Sequence, residues 1–376
     1  MSGIYLHIPF CRQACHYCDF HFSTVLKTKT ALLKAMEKEI ELQKGYLTSP
    51  LRSIYFGGGT PSLLSAGEIN GMIDKLQKNH QIEPNAEITL EANPDDLSTI
   101  KLKELMDAGI NRLSIGVQSF CNEDLLFMNR THNARQALTS IIAAQDAGFE
   151  NISVDLIYGM PTLSDKNWRA NLRQIIELKV PHLSAYCLTV EPNTALAHFI
   201  RQGTTPDVDE QSSNRQFKIL MDKMKAGNFI HYEISNFAKD GFISRHNSSY
   251  WFNGKYLGIG PSAHSYNGET RRWNVANNIE YIRSFDKGKP CYQSEELSTR
   301  TKYNEYVMTS LRTIWGCDLD HVLTYFKEEA LAHCLKEAET YIESGMISKR
   351  ENKLTLTGKG LFIADRIASD LFIISD

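Results

Sequence analysis

Short apolar runs alternate with longer amphipathic segments from the start of the chain to about residue 235. The short runs are rich in β-branched and aromatic residues, which predicts strands at 4–8, 53–56, 87–91, 112–117, 152–157 and 183–190. The longer segments repeat apolar residues at helical spacing, which predicts helices at 30–44, 68–78, 134–147 and 167–178. Strands that alternate with helices are typical of βα units around a parallel sheet, so the predicted fold class is α/β.

Glycines mark where three of the predicted helices end. Gly109, Gly148 and Gly227 each follow an alanine and stand just before a predicted strand. Glycine adopts the left-handed conformation that often ends a helix without steric cost. The last of the three precedes a seventh predicted strand, at 230–234. Six or seven βα units indicate a barrel or an incomplete barrel, and not an open Rossmann sheet.

The alternation of strands and helices stops beyond residue 240. Residues 241–300 are rich in glycine, asparagine and aromatic residues, and we expect an irregular cover over one end of the barrel. Later residues have helical periodicity at 303–313, 319–326 and 330–343, and then a hairpin pattern and a last helix. We therefore divide the chain into a barrel at 1–235, a cap at 236–300 and a C-terminal domain at 301–376, which resembles a winged helix.

Charge and length exclude some classes of function. The 376 residues suffice for one barrel-sized core and a smaller domain. The chain has 41 basic and 44 acidic residues, and residues 300–376 have ten basic and twelve acidic ones, so the positive surface of a nucleic-acid-binding protein is missing. No apolar run approaches the ~18 residues of a spanning helix, and the first residues do not resemble a signal peptide. We expect a cytoplasmic protein.

Three cysteines stand close together in the predicted loop after the first strand. Cys11, Cys15 and Cys18 have the spacing C-x3-C-x2-C, and no fourth cysteine is near them. Three thiolates leave one iron of a 4Fe-4S cluster open to a small molecule with an amine and a carboxylate. His21 offers the alternative of a Cys3His zinc site. The other five cysteines are isolated, and we expect them to be small buried apolar residues and not disulfides.

Polar residues stand at or beyond the ends of the predicted strands. A GGGTP segment at 57–61 follows the second strand, and its glycines let the backbone approach a ligand closely. Glu91 ends the third strand, Gln118 follows the fourth and Asp155 lies in the fifth, while Arg130 lies in a later loop. Because the carboxyl ends of parallel barrel strands form one mouth, these residues predict a polar ligand with hydroxyls, an amine and a carboxylate.

Four motifs together resemble one known family. They are YLHIPFC at 5–11, the cysteine triplet, GGGTP at 57–61 and EANP at 91–94. This set resembles the radical S-adenosylmethionine (radical SAM) family of oxygen-independent coproporphyrinogen III oxidases, or dehydrogenases, and their relatives, and the resemblance covers nearly the whole chain. It implies a partial (β/α)6 radical SAM barrel and a small winged-helix-like α+β domain.

The resemblance also implies which residues bind the cofactors. It assigns the 4Fe-4S cluster to Cys11, Cys15 and Cys18. It assigns S-adenosylmethionine to Tyr5, Gly58, Gly59, Thr60, Glu91, Gln118, Arg130 and Asp155. The last three match positions that in the dehydrogenase contact a second S-adenosylmethionine. The protein would position the cluster and S-adenosylmethionine, because the radical chemistry belongs to the cofactor.

Two features separate the chain from the dehydrogenase and resemble the HemW branch of the family. Phe20 stands where the dehydrogenase has a fourth cysteine, and only ten residues precede Cys11. The segment HNSSYW at 246–251 resembles the H-N-x-x-Y-W heme motif of that branch, which implies that His246, Tyr250 and Trp251 contact heme. A histidine satisfied within the core is the structural alternative.

The resemblance implies a heme chaperone that binds heme, a 4Fe-4S cluster and S-adenosylmethionine. Its partners would be acceptor hemoproteins, including membrane-bound respiratory enzymes, reached from the cytoplasm or the inner face of the membrane. Arg271 and Arg272 would neutralise the heme propionates, or else form an exposed solvated pair. Two alternatives stay open. The protein is a coproporphyrinogen III oxidase in the first, and a zinc-stabilised binding protein without redox chemistry in the second.

Overall fold

The structure is a computed structural model that describes residues 2–374 of the chain. Within these residues the largest element is a twelve-stranded sheet, whose central six strands run parallel in chain order. They are β1 (Ser2–Ile8), β2 (Leu51–Gly58), β3 (Ile82–Ala92), β4 (Arg112–Gln118), β5 (Ile152–Tyr158) and β6 (His182–Cys187). All six were predicted, although β6 ends earlier than expected.

Helices follow each of these strands, so the six predicted βα units are confirmed. The helices are α1 (Lys29–Leu42), α2 (Ala66–Asn79), α3 (Thr99–Asp107), α4 (Asn122–Phe127), α5 (Ala134–Asp146), α6 (Asp165–Glu177), α7 (Ala195–Arg201) and α8 (Glu210–Ala226). Their apolar stripes are buried; on α6, for example, Trp168, Leu172 and Ile175 recur at helical spacing and are fully buried.

The strand predicted at 230–234 is present, but it is not a seventh parallel strand beside β6. It forms β7 (Ile230–Glu233), which pairs antiparallel with β8 (Asn236–Ala238), and β8 in turn pairs antiparallel with β6. Only two residues separate β7 from β8, and so short a connection makes a hairpin, whereas a parallel neighbour needs a long crossover. The sheet is therefore open at this edge, with β7 outermost.

The expectation of an irregular cover at 241–300 is wrong. This region forms α9 (Arg245–Trp251), β9 (Lys255–Ile259), β10 (His264–Tyr266), β11 (Thr270–Asn274), α10 (Asn278–Asp286) and β12 (Tyr292–Glu296). β9 pairs in parallel with β1, and the next three strands extend the sheet antiparallel. These strands cover an edge of β1 that would otherwise be unpaired. They are too short to give a clear sequence period.

The C-terminal region forms its own small core, as the sequence predicts. It contains α11 (Thr299–Leu311), β13 (Cys317–Asp318), α12 (Leu319–Glu343), β14 (Ile347–Arg350), β15 (Lys353–Leu356) and α13 (Ala364–Asp370). Lys327 has a φ of 77° and breaks α12 into the two predicted helices. None of the helices in residues 2–374 is long and apolar enough to cross a membrane.

A buried carboxylate attaches the added strands to the first helix. Glu39 on α1 accepts hydrogen bonds from the backbone N–H of Gly260 (2.9 Å), the side-chain amide of Asn274 (2.8 Å) and the hydroxyl of Tyr281 (2.5 Å). Burial raises the pKa of Glu39 to about 7, although all three donors act to lower it. The side chain of Glu39 on α1 thus bonds to the turn after β9, to β11 and to α10.

We predict that Glu39→Gln flattens the dependence of stability on pH. Folded Glu39 has a pKa of about 7, whereas glutamic acid in an unfolded chain has a pKa of ~4.3. Between these values the native state binds more protons than the unfolded state, so the free energy of unfolding falls as pH rises, by roughly 3–4 kcal/mol. Denaturant titrations across this window measure the slope, with Glu37→Gln on the same helix as control. Parallel curves for the parent and Glu39→Gln would contradict the prediction.

Candidate cofactor site

The cysteine triplet lies in the loop after β1, where the sequence places it. Phe10 is fully buried under the loop. The backbone N–H of Cys11 donates to the carbonyl of Ser23 (3.1 Å), and that of Ser23 donates to the carbonyl of Pro9 (2.9 Å). These bonds close the loop on itself beside the carboxyl end of β1. All eight cysteines of the chain are free thiols.

The three thiols share one cavity with residues from β2 to β6. The cavity has a volume of about 460 Å³. Of the residues predicted for the cluster and S-adenosylmethionine, it is lined by Cys11, Cys15, Cys18, Gly58, Gly59, Thr60, Glu91, Gln118, Arg130 and Asp155. They are far apart in sequence, but the carboxyl ends of parallel strands bring them together.

Two glycines let β2 pass close to the cysteine loop. A Cβ on Gly59 would lie 2.7 Å from the carbonyl oxygen of Phe10 and 3.0 Å from the sulfur of Cys11. Gly58 has a φ of 112°, and a Cβ there would lie 2.8 Å from the ring of His7. Side chains at these positions would push the loop and the strand apart. The glycines therefore form a cradle beside the thiols.

Glu91 presents a carboxylate to the cavity from the end of β3. Its Oε1 accepts a hydrogen bond from the hydroxyl of Tyr55 (2.8 Å), and its Oε2 accepts one from the backbone N–H of Gly58 (3.2 Å). Burial raises the pKa of Glu91 to about 7, and the nearby charge of Asp155 adds to the shift. A cation in the cavity would stabilise the ionised form and lower this pKa.

Asp155 is the second carboxylate of the cavity. Ser114 on the neighbouring strand donates to it, with its hydroxyl 3.2 Å from each carboxylate oxygen. Burial raises the pKa of Asp155 to about 6. Two carboxylates with raised pKa values favour a cationic ligand, since a positive charge compensates for both.

Arg130 joins the cavity wall to one of the thiols. Its guanidinium donates to Asn93 Oδ1 (2.7 Å), to the carbonyl of Gly116 (3.0 Å) and to the sulfur of Cys15 (3.2 Å). Gln118 lies close by at the end of β4, where its φ of 65° turns the chain out of the strand. The arrangement places a fixed positive charge at the rim of the thiol cluster.

The thiols themselves fit a metal cluster with sulfur ligands. Thr60 Oγ1 lies 3.5 Å from the sulfur of Cys11, and Arg130 donates to Cys15. Burial raises the pKa of Cys11, and it raises the pKa of Cys18 to about 11. Such thiols become thiolates most readily when a metal compensates for the charge. The donor atoms of the thiols, the glycine cradle and the two carboxylates therefore fit a sulfur-ligated cluster beside a cationic ligand.

Tyr5 is the predicted cofactor residue that does not line the cavity. Its hydroxyl lies 3.2 Å from Nδ1 of His7, and its ring stacks on the ring of Tyr55 with centroids 6.0 Å apart. Its ring therefore lies inside the barrel, next to Gly57, and it does not line the cavity itself.

His246 lies at the opposite end of the strands from the cysteines. It is 1% exposed, and it packs beside Gly3 and Ser53, near the amino ends of β1 and β2. Hydrogen bonds join its Nδ1 to Ser53 Oγ (2.8 Å) and its Nε2 to the hydroxyl of Tyr250 (2.9 Å). Burial lowers the pKa of His246 to about 3, so the imidazole is neutral. The structure brings His246 and Tyr250 together but separates both from the thiols.

The rest of the predicted heme motif belongs to the same short helix. Glu87 on β3 accepts hydrogen bonds from the backbone N–H groups of Arg245 (3.1 Å) and His246 (3.0 Å), which fixes the start of α9. Trp251 at the helix end has the guanidinium of Arg312 5.9 Å from its ring centre. The helix is therefore tied to the barrel at its start, and it faces the C-terminal region at its end.

The alternative of an exposed pair at Arg271 and Arg272 is wrong. Arg271 forms an ion pair with Glu305 (2.7 Å). Arg272 is 8% exposed and lies between the rings of Tyr46 (4.1 Å) and Tyr292 (4.9 Å). Arg271 also pairs with Glu295 on β12 (3.7 Å), so each guanidinium contacts other side chains of the protein.

His21, which suggested the zinc alternative, contacts residues other than the thiols. Its Nε2 hydrogen-bonds with Oδ1 of Asn278 (2.8 Å), and its carbonyl oxygen lies 2.9 Å from Nε2 of His7. Within residues 2–374, no three His, Cys, Asp or Glu side chains converge on the position of a single metal ion.

Two cavity residues were missed or misjudged from the sequence. Phe20 is 69% exposed and lines the cavity at its rim. Cys187 was expected to be buried, but it is exposed at the end of β6 and lines the same cavity. The expectation of burial was also wrong for Cys291, which is exposed. The rule that found Glu91, a polar residue at the carboxyl end of a strand, did not find Cys187, because the predicted strand extended to residue 190.

Comparisons with known proteins identify the family and the fold of the chain. The profile of the radical SAM superfamily matches residues 5–175, and the HemN C-terminal domain matches residues 297–363. A heme chaperone HemW from Bacillus subtilis is 34% identical to this chain over 98% of the chain and 98% of its own length. The chain belongs to the HemW family. The HemW of Escherichia coli is 33% identical, over 83% of this chain and 82% of its own.

A solved structure supports the fold of this HemW-family chain. Coproporphyrinogen III oxidase (HemN) from Escherichia coli, described as a radical SAM enzyme, superposes with a TM-score of 0.87. The match covers 100% of this chain and 90% of that chain at 22% sequence identity. The α/β radical SAM barrel and the C-terminal domain expected from the sequence are thereby confirmed.

We predict that Cys15→Ser loses most of its iron and acid-labile sulfide after reconstitution without oxygen, because a hydroxyl is a poor ligand for cluster iron. The parent should retain about four irons per chain. Cys187→Ser is the matched control, since its thiol lines the same cavity outside the triplet. Metal and sulfide analysis measures the result. Stoichiometric zinc without iron or sulfide in the parent would contradict the prediction and favour the zinc alternative.

Proposed function

We propose that this HemW-family chain is a heme chaperone. It binds a 4Fe-4S cluster, S-adenosylmethionine and heme, and it passes heme to acceptor hemoproteins, membrane-bound respiratory enzymes among them. It acts in the cytoplasm or at the inner face of the membrane. The observation that carries the cofactor part is the single cavity in which three thiols, a glycine cradle and two carboxylates meet. The names of the relatives support the heme part.

The cavity residues have separate tasks in this proposal. Cys11, Cys15 and Cys18 hold the cluster, which when bound and reduced supplies one-electron chemistry at the sulfonium of S-adenosylmethionine. Gly58 and Gly59 leave room for the ligand at the backbone. The ligand is further surrounded by Thr60, Glu91, Gln118, Arg130 and Asp155. The two carboxylates balance its positive charge, and Arg130 keeps the sulfur of Cys15 in place.

Heme is bound through α9 in this proposal, with His246 as the axial ligand and Tyr250 and Trp251 beside the macrocycle. The neutral imidazole is the form that ligates iron. Both of its nitrogens already have hydrogen-bond partners, so ligation through Nε2 requires that Tyr250 releases it. Because His246 is 1% exposed, heme binding in this proposal also requires that α9 moves away from the barrel.

We predict that His246→Ala weakens heme binding at least about tenfold, a loss of ~1.4 kcal/mol or more, because the axial ligand is removed. Heme titration followed by absorbance measures both the affinity and the change in the spectrum. His264→Ala is the matched control, since His264 is an exposed histidine on β10. An unaltered affinity and spectrum in His246→Ala would show that His246 has only its structural role.

We predict that the reconstituted, reduced chain does not convert coproporphyrinogen III to protoporphyrinogen IX in the presence of S-adenosylmethionine. The reason is Phe20, an exposed aromatic ring at the cavity rim where the dehydrogenase has a cysteine. Chromatography of the porphyrins after oxidation measures the product, with a known coproporphyrinogen dehydrogenase as positive control. Formation of protoporphyrinogen IX by this chain at a comparable rate would contradict the prediction and favour the function of a coproporphyrinogen III oxidase.

A further inference from the structure

Tyr55 contacts both the carboxylate of Glu91 in the cavity and the imidazole of His246 on α9. Its hydroxyl donates to Glu91 Oε1 at 2.8 Å. Its ring stacks on that of His246 with centroids 4.9 Å apart and planes 26° apart. The side chain is 7% exposed and lies on β2, between the two ends of the barrel.

The contacts of Tyr55 leave it little freedom to move alone. Tyr5 stacks on the same ring at 6.0 Å, and a Cβ at Gly57 would lie 2.9 Å from the Tyr55 ring. Tyr5 also lies 6.4 Å from His246, but its hydroxyl bonds to His7 and not to Glu91. A displacement of the Glu91 carboxylate is therefore transmitted by the Tyr55 hydroxyl to a ring that touches His246.

His246 in turn determines how α9 is seated. Its ring is held by Ser53 on one side and Tyr250 on the other, and it stacks on Tyr55. The backbone at the start of the helix is fixed by Glu87. The ring of Tyr55 thus links α9 to the cofactor cavity, because the Tyr55 hydroxyl donates to Glu91, which lines the cavity.

We propose that Tyr55 is a positioning residue that couples the occupancy of the cofactor cavity to the seating of α9, and hence to heme binding at His246. The inference rests on the proposed function, since it takes S-adenosylmethionine as the cavity ligand. A cationic ligand at Glu91 fixes the carboxylate, the carboxylate fixes Tyr55, and Tyr55 holds His246 in its stacked position. Heme binding withdraws His246 from this position, so S-adenosylmethionine weakens the binding of heme. By thermodynamic linkage, heme weakens the binding of S-adenosylmethionine by the same factor.

Tyr55→Phe tests this coupling, because it removes the hydroxyl and keeps the ring stack. Losing one such hydrogen bond costs about 1–3 kcal/mol, which a domain of ordinary stability tolerates. Tyr281→Phe is the matched control, since it also removes a buried tyrosine hydroxyl from a carboxylate, that of Glu39, outside the cavity lining. Thermal unfolding of both variants verifies that they fold.

The measurement is hydrogen exchange of the peptide that contains residues 245–251, in cluster-reconstituted protein with and without S-adenosylmethionine. In the parent and in Tyr281→Phe, the ligand should slow exchange in this peptide by about five- to 150-fold, the usual range for coupling between two sites. In Tyr55→Phe the ligand should bind but leave the exchange rate almost unchanged. Equilibrium dialysis with labelled S-adenosylmethionine measures binding separately.

Two results would overturn the inference while the proposed function stands. One is an undiminished slowing in Tyr55→Phe, and the other is no slowing in a parent that binds S-adenosylmethionine. Failure of the parent to bind S-adenosylmethionine would instead remove the proposed function, and the inference with it. A heme titration completes the test, because S-adenosylmethionine should change heme affinity in the parent and not in Tyr55→Phe.

Discussion

A carboxylate and an imidazole buried inside the barrel need hydrogen-bond partners, and the arrangement of the site follows from this constraint. Barrels of this kind are usually filled by apolar side chains. Here the interior contains a carboxylate, Glu91, and an imidazole, His246, and leaving either without a partner would be costly. Tyr55 donates to the first and stacks on the second. Gly58 and Ser53 supply further hydrogen bonds from the two ends of β2. The same strand therefore supports both functional regions.

The part of the site on β2 to β5 could be predicted because it obeys local rules. The spacing of apolar residues along the chain predicted where the strands lie. The carboxyl ends of parallel strands meet at one edge of a barrel. Glu91, Gln118 and Asp155 could therefore be placed at one mouth without any knowledge of the tertiary contacts. The close approach at Gly58 and Gly59 followed from the absence of side chains. Cys187 ends β6, but the predicted strand extended to residue 190 and the thiol was interpreted as an apolar residue.

The region 241–300 could not be predicted because its structure depends on contacts with distant residues. β9 is a five-residue strand that pairs with β1, roughly 250 positions earlier, and so short a run has no clear period of its own. The placement of α9 depends on Glu87, which accepts hydrogen bonds from the first N–H groups of that helix. The motif at 246–251 indicates a histidine with aromatic residues near it, but it indicates neither that they form a helix nor at which end of the barrel they lie.

Electrostatics make the barrel interior one unit and not two separate sites. Arg112 on β4 is fully buried, and its Nε lies 4.0 Å from the carboxylate of Glu87, which fixes the start of α9. The same positive charge acts to lower the pKa of Glu91 at the cavity and the pKa of His246 at the other end. Interactions between charges weaken slowly with distance where water is excluded. One central positive charge therefore compensates the carboxylates of Glu87 and Glu91 and, together with burial, favours the neutral form of His246.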